Sequence, residues 1–414
     1  MKVRETIRED GLRIISGRVP SQKVHFELIA GVGSAYDPKD KQGLFHYFEH
    51  MAFKGTKKRS IEDINAFKGR NLLANNASTK RLETKYYGES VSRKFPILCE
   101  FLCDLYFHSV FPSEEMKREK EVILNEIARD NDMDHYRAFF SIWEQLWIQN
   151  PLRVFGVGST EGVKNISRDD LLSVKEYWYV PTNTIALAVG GVDHDEFVAE
   201  LNRHIPIDRV HIVSHRTWDD EYGALPQKSE IIIELPKREK AIFLLGSKFP
   251  FYKDEKNIVL ASFFKYLLVG RATSRLCSEI REKRGLSYAL DGGVACDYRL
   301  GHYFYVHVET LPQRVKEVQG LVKELLMKPF DNPDVFEETK EWLQDWSTLN
   351  PERLSEWVGH IKDVLNREES PRKAERLLSR MSKLISSVSL EEVEDFRRFS
   401  LNPDHFVSVI VKPE

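Results

Sequence analysis

The hydrophobic pattern of the chain alternates between helix-like and strand-like segments, and part of this order occurs twice. Residues 166–189, ISRDDLLSVKEYWYVPTNTIALAV, match residues 388–411, VSLEEVEDFRRFSLNPDHFVSVIV, without a gap. Each copy predicts a helix with a serine N-cap and acids in its first turn, then a proline stop and an alternating strand. Residues 36–50 match 252–266 in the same way. The repeat indicates one structural unit used twice.

A strand-like segment precedes each copy of the second match, VHFELIAGVGSAY at 24–36 and EKAIFLLGSKFPF at 239–251. Residues 206–228 have no sustained period and contain charges, glycine and proline, which is typical of a linker. The sequence therefore predicts two related α+β domains, 1–205 and 229–414, each a sheet covered by helices.

Composition narrows the class of protein. The 414 residues are 42% hydrophobic and 30% charged, and 61 basic against 64 acidic residues give a net charge of −3. This balance disfavours a nucleic-acid partner. The first residues have no apolar signal segment, and no run of eighteen apolar residues occurs, so we expect no membrane span and a cytoplasmic location.

The cysteines and tryptophans fit structural roles. Four scattered cysteines are too few for a disulfide framework, and Cys99 and Cys103, four apart in a helical pattern, favour buried small hydrophobes over a zinc pair. Trp143, Trp147 and the YWYV run at 177–180 are predicted to pack in the core or against another domain.

A candidate metal site lies in the segment FHYFEHMAFKGT at 45–56. On a helix, His46, Glu49 and His50 occupy positions i, i+3 and i+4, so the three side chains share one face. In the second copy of the repeat, the apolar positions around them persist, whereas these three become Ser262, Lys265 and Tyr266. The loss favours a special role in the first half. His-x-x-Glu-His is the inverzincin order of zinc peptidases.

A catalytic zinc ion usually takes three protein ligands and leaves a fourth position for water. The segment SEEMKREKEVILNEIARD at 113–130 predicts a helix in which Glu119 and Glu126 lie two turns apart on one face. One of these acids can bind the metal while the other orients the site. A solvated, charged helix is the alternative interpretation of this stretch.

Together these residues resemble the pitrilysin, or insulinase, family of zinc peptidases, which includes insulin-degrading enzyme and the mitochondrial processing peptidase. The run HYFEHMAFKGTKKRS is most similar to the processing-peptidase branch. The resemblance implies a processing-peptidase-like fold with mixed, mainly antiparallel sheets. It also implies that His46, His50 and Glu126 bind one Zn²⁺ per chain, that Glu49 is the general base, and that Glu119 supports the site.

Two further segments resemble the family. NASTKRLETKYY at 76–87 is similar to its strand beside the active site, which implies that Asn76 and Ala77 bind substrate. SRLCSEIREKRGLSYAL at 274–290 resembles the segment with the family's Arg and Tyr, here Arg281 and Tyr288. The chain departs from the family in two places near the strand at 76–87. The stretch GRNLLANN precedes this strand, and the acid expected within the strand is displaced, so that Leu82 is followed by Glu83.

These patterns predict a zinc-dependent endopeptidase that hydrolyses peptides or unfolded polypeptide segments and recognises them as an added β-strand. The resemblance implies a homodimer with shared active sites, because large relatives carry four such domains and this chain carries two. The alternatives are a non-catalytic core or scaffold subunit of the same fold and a protein with a structural zinc site. Structural sites normally close the coordination position that a set of two histidines and one glutamate leaves open.

Overall fold

Two sheets flanked by helices form the described part of the chain. The computed structural model describes residues 1–154, 156–205, 207, 211–250, 252–349 and 351–414. The strands and helices are, in chain order, β1 (Lys2–Ile7), β2 (Arg13–Arg18), β3 (Lys23–Ala30), α1 (Leu44–Met51), α2 (Ile61–Asn71), β4 (Ala74–Thr79), β5 (Thr84–Val91), α3 (Phe95–His108), α4 (Ser113–Asp132), α5 (Asp134–Leu146), α6 (Thr160–Asn165), α7 (Arg168–Trp178), β6 (Thr184–Gly190), α8 (His194–His204), β7 (Glu230–Leu235), β8 (Ala241–Phe249), α9 (Glu255–Leu268), a π-helix (Cys277–Glu282), β9 (Leu290–Asp297), β10 (Gly301–Thr310), α10 (Val315–Met327), α11 (Pro333–Thr348), α12 (Leu354–Asn366), α13 (Leu377–Ser387), α14 (Leu390–Ser400) and β11 (Val407–Pro413).

The chain divides into two compact units that interleave along the sequence. The first contains the described residues of Met1–Arg129, Phe155–Arg216 and Pro351–Glu375, and the second those of Asp130–Val154, Thr217–Asn350 and Arg376–Glu414. Helix α5 therefore packs on strands β8 and β11 of the second unit, and α12 packs on β6 and β3 of the first. Helix α5 precedes the predicted linker at 206–228 although it belongs to the second unit, and α12 follows this linker although it belongs to the first. The linker itself stays a prediction.

The sheet of the first unit has the order β1-β2-β6-β3-β5-β4. Strands β2 and β6 are parallel and the other pairs are antiparallel. Phe26 of β3 packs against Phe95 and Phe197, which places one face of the sheet against α3 and α8. The metal-site helix α1 contacts β4, the strand at the end of this sheet.

The sheet of the second unit repeats this plan in the order β7-β11-β8-β10-β9, with β7 and β11 parallel and the other pairs antiparallel. The predicted α+β class with mixed, mainly antiparallel sheets is confirmed. Ser167 caps α7 and Ser389 caps α14 through the same capping box, as the internal repeat predicts.

Local packing confirms most of the structural assignments. Cys99 and Cys103 are buried and free. Trp147 is completely buried and lies edge-on to Tyr303, with 5.4 Å between ring centroids. Tyr177 is 39% exposed and its ring packs edge-on against Trp178, so a core position is wrong for this residue, whereas the alternative of packing against another domain stays a prediction.

Candidate metal centre

The start of helix α1 is fixed by a glycine and a half-buried aspartate. Gly43 has a φ of 99°, and a Cβ there would lie 2.9 Å from the carbonyl oxygen of Val157. The carboxylate of Asp37 accepts hydrogen bonds from the backbone amides of Gly43 at 2.7 Å and Phe45 at 3.1 Å. Burial raises the pKa of Asp37 to about 7. This cap fixes where the helix that carries His46 and His50 begins.

The three predicted zinc ligands converge on one point. The Nε2 atoms of His46 and His50 are 3.1 Å apart, and Glu126 Oε2 lies 3.9 Å from the first and 3.7 Å from the second. Ligand atoms on a tetrahedral zinc ion at about 2.1 Å are separated by roughly 3.4 Å, so the donor set fits this ion. In the described residues, this is the one group of three His, Cys, Asp or Glu side chains close enough to hold a metal.

Glu119 stands behind one of the histidines. Its Oε1 lies 2.8 Å from Nδ1 of His50, and its Oε2 lies 2.5 Å from Nζ of Lys54. The carboxylate therefore favours a proton on Nδ1 and leaves Nε2 of His50 for a metal. Burial opposes its charge, but the hydrogen bonds to His50 and Lys54 lower the pKa of Glu119 below its ordinary value.

Glu49 is held beside the histidines by Thr79. The carboxylate is 8% exposed, and its Oε2 accepts a 2.7 Å hydrogen bond from the hydroxyl of Thr79 in β4. Burial raises the pKa of Glu49, and the side chain and backbone amide of Thr79 partly offset this rise. A buried, oriented carboxylate with a raised pKa is suited to accept and return a proton.

Strand β4 lies at the end of its sheet, with β5 as its one neighbouring strand in the described chain. Ala77 is buried, whereas Asn76 is exposed. The free edge offers backbone groups to an extended segment, which is compatible with the predicted substrate contact of Asn76 and Ala77.

Arg281 and Tyr288 belong to the second unit. Arg281 lies on the π-helix, with its side chain 53% exposed, and Tyr288 is 93% exposed in the loop that follows. Single-turn π-helices occur often at functional sites. The roles of these two residues stay predictions.

Comparison with known protein families decides the identity of the chain. The model of "Insulinase (Peptidase family M16)" matches residues 13–154, and that of "Peptidase M16 inactive domain" matches residues 165–341. The chain belongs to peptidase family M16, the insulinase family. The predicted resemblance is confirmed. The five residues that the sequence predicts for the metal centre, His46, Glu49, His50, Glu119 and Glu126, all fall within the first match of this M16 chain.

Three relatives show how far the similarity extends. An uncharacterized zinc protease of Rickettsia bellii is 28% identical over 76% of the M16 chain and 75% of its own length. The human mitochondrial-processing peptidase subunit beta is 35% identical over 48% of this chain and 40% of its own. A protease from Helicobacter pylori has the same fold, with a TM-score of 0.86 at 18% identity over 100% of this chain and 99% of its own.

Sequence reasoning missed two side chains of the site. Thr79 is part of the quoted strand motif, but no contact with Glu49 was expected. Lys54 follows His50 at i+4, a helical spacing that could have pointed to it.

Among the described residues of the M16 chain, every helix is too short or too polar to span a membrane.

Proposed function

We propose that this M16 chain is a zinc-dependent endopeptidase that hydrolyses peptides or unfolded polypeptide segments. The carrying observation is the convergence of His46, His50 and Glu126 within 4.8 Å, next to a buried carboxylate, Glu49, that is not part of the cluster. Such a set provides three ligands and a separate base, as metal-assisted hydrolysis requires.

The chain's own residues divide the work. When bound, a zinc ion supplies a Lewis acid that polarises a carbonyl and makes water nucleophilic near neutral pH. Glu49 accepts the proton of the attacking water and delivers it to the leaving amine. Thr79 keeps the Glu49 carboxylate in place for both transfers. Glu119 fixes the tautomer of His50.

The substrate is proposed to add to β4 as an extended strand. Backbone hydrogen bonds along the free edge then give affinity with broad sequence tolerance, and Asn76 and Ala77 lie on that strand. Cleavage of unfolded rather than folded chains follows, because the segment must present free backbone groups.

A homodimer with shared active sites is part of this proposal. One chain has both the zinc ligands and the Arg281–Tyr288 pair that the family resemblance assigns to substrate and oxyanion. Mixing His50→Ala with Tyr288→Phe tests it, because each variant is expected to be weak alone and a mixed dimer would contain one complete site. Absence of recovery despite demonstrated subunit exchange would exclude the shared site.

A cytoplasmic location is also proposed, and cell fractionation tests it.

The non-catalytic scaffold is the second candidate. The family description "inactive domain" refers to residues 165–341, which include none of the candidate ligands. Measuring zinc content by mass spectrometry together with cleavage of casein and unfolded peptides separates the two functions. One zinc per chain with cleavage supports the peptidase, whereas a zinc-loaded chain that cleaves nothing supports the scaffold.

A further inference from the structure

The face of the first sheet opposite α3 carries buried charges. Nε2 of His25 lies within hydrogen-bond distance, 3.0 Å, of Glu27 Oε1 on the same strand, β3. Nζ of Lys85 in β5 donates a hydrogen bond to the same oxygen at 3.0 Å. A cavity of about 520 Å³ lies between this face and helix α12. Apolar packing is therefore incomplete on this side of the helix.

Helix α12 makes apolar contacts on one side of this cavity and an ion pair on the other. Val358, Ile361 and Val364 are buried, and the helix packs on β6 and β3. Toward β5, Lys362 makes a 2.7 Å ion pair with Glu83 and lies 3.9 Å from Glu27 Oε2. The side chains of Lys362 and Glu83 are 11% and 12% exposed, so solvent screens this pair far less than a surface pair.

Glu83 is the last residue of the turn that joins β4 to β5. Its carbonyl accepts a hydrogen bond from the amide of Lys80, which closes the turn. The hairpin carries Thr79, the partner of Glu49. Among the six residues of β4, Ala77 alone is buried, so side-chain burial contributes little to the position of this strand, which pairs with β5 and contacts α1. The turn is held by hydrogen bonds from the amides of Ser34 and Ala35 to the carbonyls of Lys80 and Arg81 and by the ion pair of Glu83, and these contacts add to the position of β4.

The displaced acid of the strand motif at 76–87, Glu83, is the residue that forms this ion pair. Leu82 is 5% exposed, whereas Glu83, the next residue, pairs with Lys362. The displaced acid therefore lies on the side of the sheet that α12 covers.

We infer that the Glu83–Lys362 ion pair is a positioning device that ties the β4–β5 hairpin to α12, and so holds Thr79 against Glu49 and the free edge of β4 in place for substrate. This inference rests on the proposed peptidase function for its effect on catalysis. The tie itself does not depend on turnover. Neither residue touches the metal ligands or the reacting atoms.

Hydrogen–deuterium exchange of the intact protein tests the tie without any cleavage assay. In Glu83→Gln and Lys362→Met, the amides of residues 74–87 are expected to exchange about fivefold faster, the effect of losing one partly buried ion pair. Lys85→Met is the matched control, because Lys85 also pairs with Glu27 but does not contact Glu83. Its hairpin should exchange like the wild type. Unchanged exchange in both test variants, or equally fast exchange in the control, overturns the inference.

Kinetics then test the consequence. Both variants are expected to lose about five- to tenfold in kcat/KM with zinc affinity, measured by chelator competition, unchanged. The double variant should be no worse than the poorer single one, because both remove the same contact, and Lys362→Arg should restore most of the activity. Additive losses or weakened zinc binding would contradict the positioning role. If the wild type cleaves nothing, the proposed function fails, and hydrogen exchange still decides whether the tie exists.

Discussion

The hydroxyl of Thr79 donates a 2.7 Å hydrogen bond to Glu49 Oε2, which joins the edge strand to the candidate base. Thr79→Val keeps the shape of the side chain and removes this donor. We expect kcat to fall on the order of tenfold, because a misaligned base loses part of the 10²–10⁴-fold that proton transfer contributes. Zinc content should stay unchanged, and Thr79→Ser should retain most of the activity. A Thr79→Val enzyme with normal kcat would show that Glu49 is oriented by other groups.

Glu49 and the ligands should separate in mutagenesis. Glu49→Gln is expected to bind zinc and cleave nothing, because it removes the base and leaves the ligands intact. His50→Ala or Glu126→Gln should lose the metal. Zinc stoichiometry and peptide cleavage are measured side by side for all three. Near-normal turnover by Glu49→Gln would refute this division of roles.

Lys54 is expected to influence the metal through Glu119. Lys54→Met removes the ammonium 2.5 Å from Glu119 Oε2 and leaves that carboxylate free to turn away from His50. Loss of a partner behind a ligand typically costs 10- to 100-fold in metal affinity, and we expect about tenfold here. Chelator competition measures it, with Lys54→Arg as the charge-preserving control. Equal zinc affinity in wild type and Lys54→Met would count against this contact.

Trp147 should matter for stability and not for metal binding. Trp147→Ala removes a completely buried side chain from the second unit and should lower the free energy of unfolding by about 3 to 5 kcal/mol. Urea denaturation measures this loss. Zinc per folded chain should equal that of the wild type, and metal loss without loss of stability would contradict the structural role.

His25 should make stability depend on pH. Burial disfavours its charged form, but hydrogen bonds to Glu27 and Glu89 raise its pKa above the ordinary value. The resulting stabilisation is fully present below the unfolded pKa of about 6.5 and is lost as the pH rises through the folded value. Urea denaturation at pH 6 and 8.5 should therefore show a smaller loss with rising pH in His25→Gln than in wild type.

The comparison with that variant is needed because Asp37, whose pKa is raised to about 7, acts in the same direction. An identical pH dependence in wild type and His25→Gln would exclude the contribution of His25.

The metal ligands could be anticipated from the sequence because helical spacing is a local rule. His46 and His50 lie one turn apart, and Glu119 and Glu126 lie two turns apart on α4, so each pair shares a face before the tertiary fold is known. That Glu119 meets Nδ1 of His50 while Glu126 faces Nε2 depends on how α4 packs beside α1. Spacing carries no information about that packing, so only the family resemblance separated the two acids.

Long-range partners could not be predicted in the same way. An amphipathic pattern indicates that α5 and α12 each have a face to bury, but it does not say which sheet the face covers. For this reason, the sequence pattern does not predict that the two compact units interleave along the chain. Lys362 lies far from Glu83 along the chain, and a single lysine on a helix is ordinarily a solvated residue.

The free edge of β4 implies selection by conformation. A segment already paired in a sheet or coiled in a helix has no spare backbone groups to offer this edge, whatever its sequence. On the proposed function, the cleavage rate of a folded protein would follow the fraction of time for which a segment is locally open, when opening and closing are fast relative to cleavage. Two substrates with the same cleavage site would then be ranked by their local stability. On the proposed function, the local stability of a substrate, more than its sequence, would decide how fast it is cleaved.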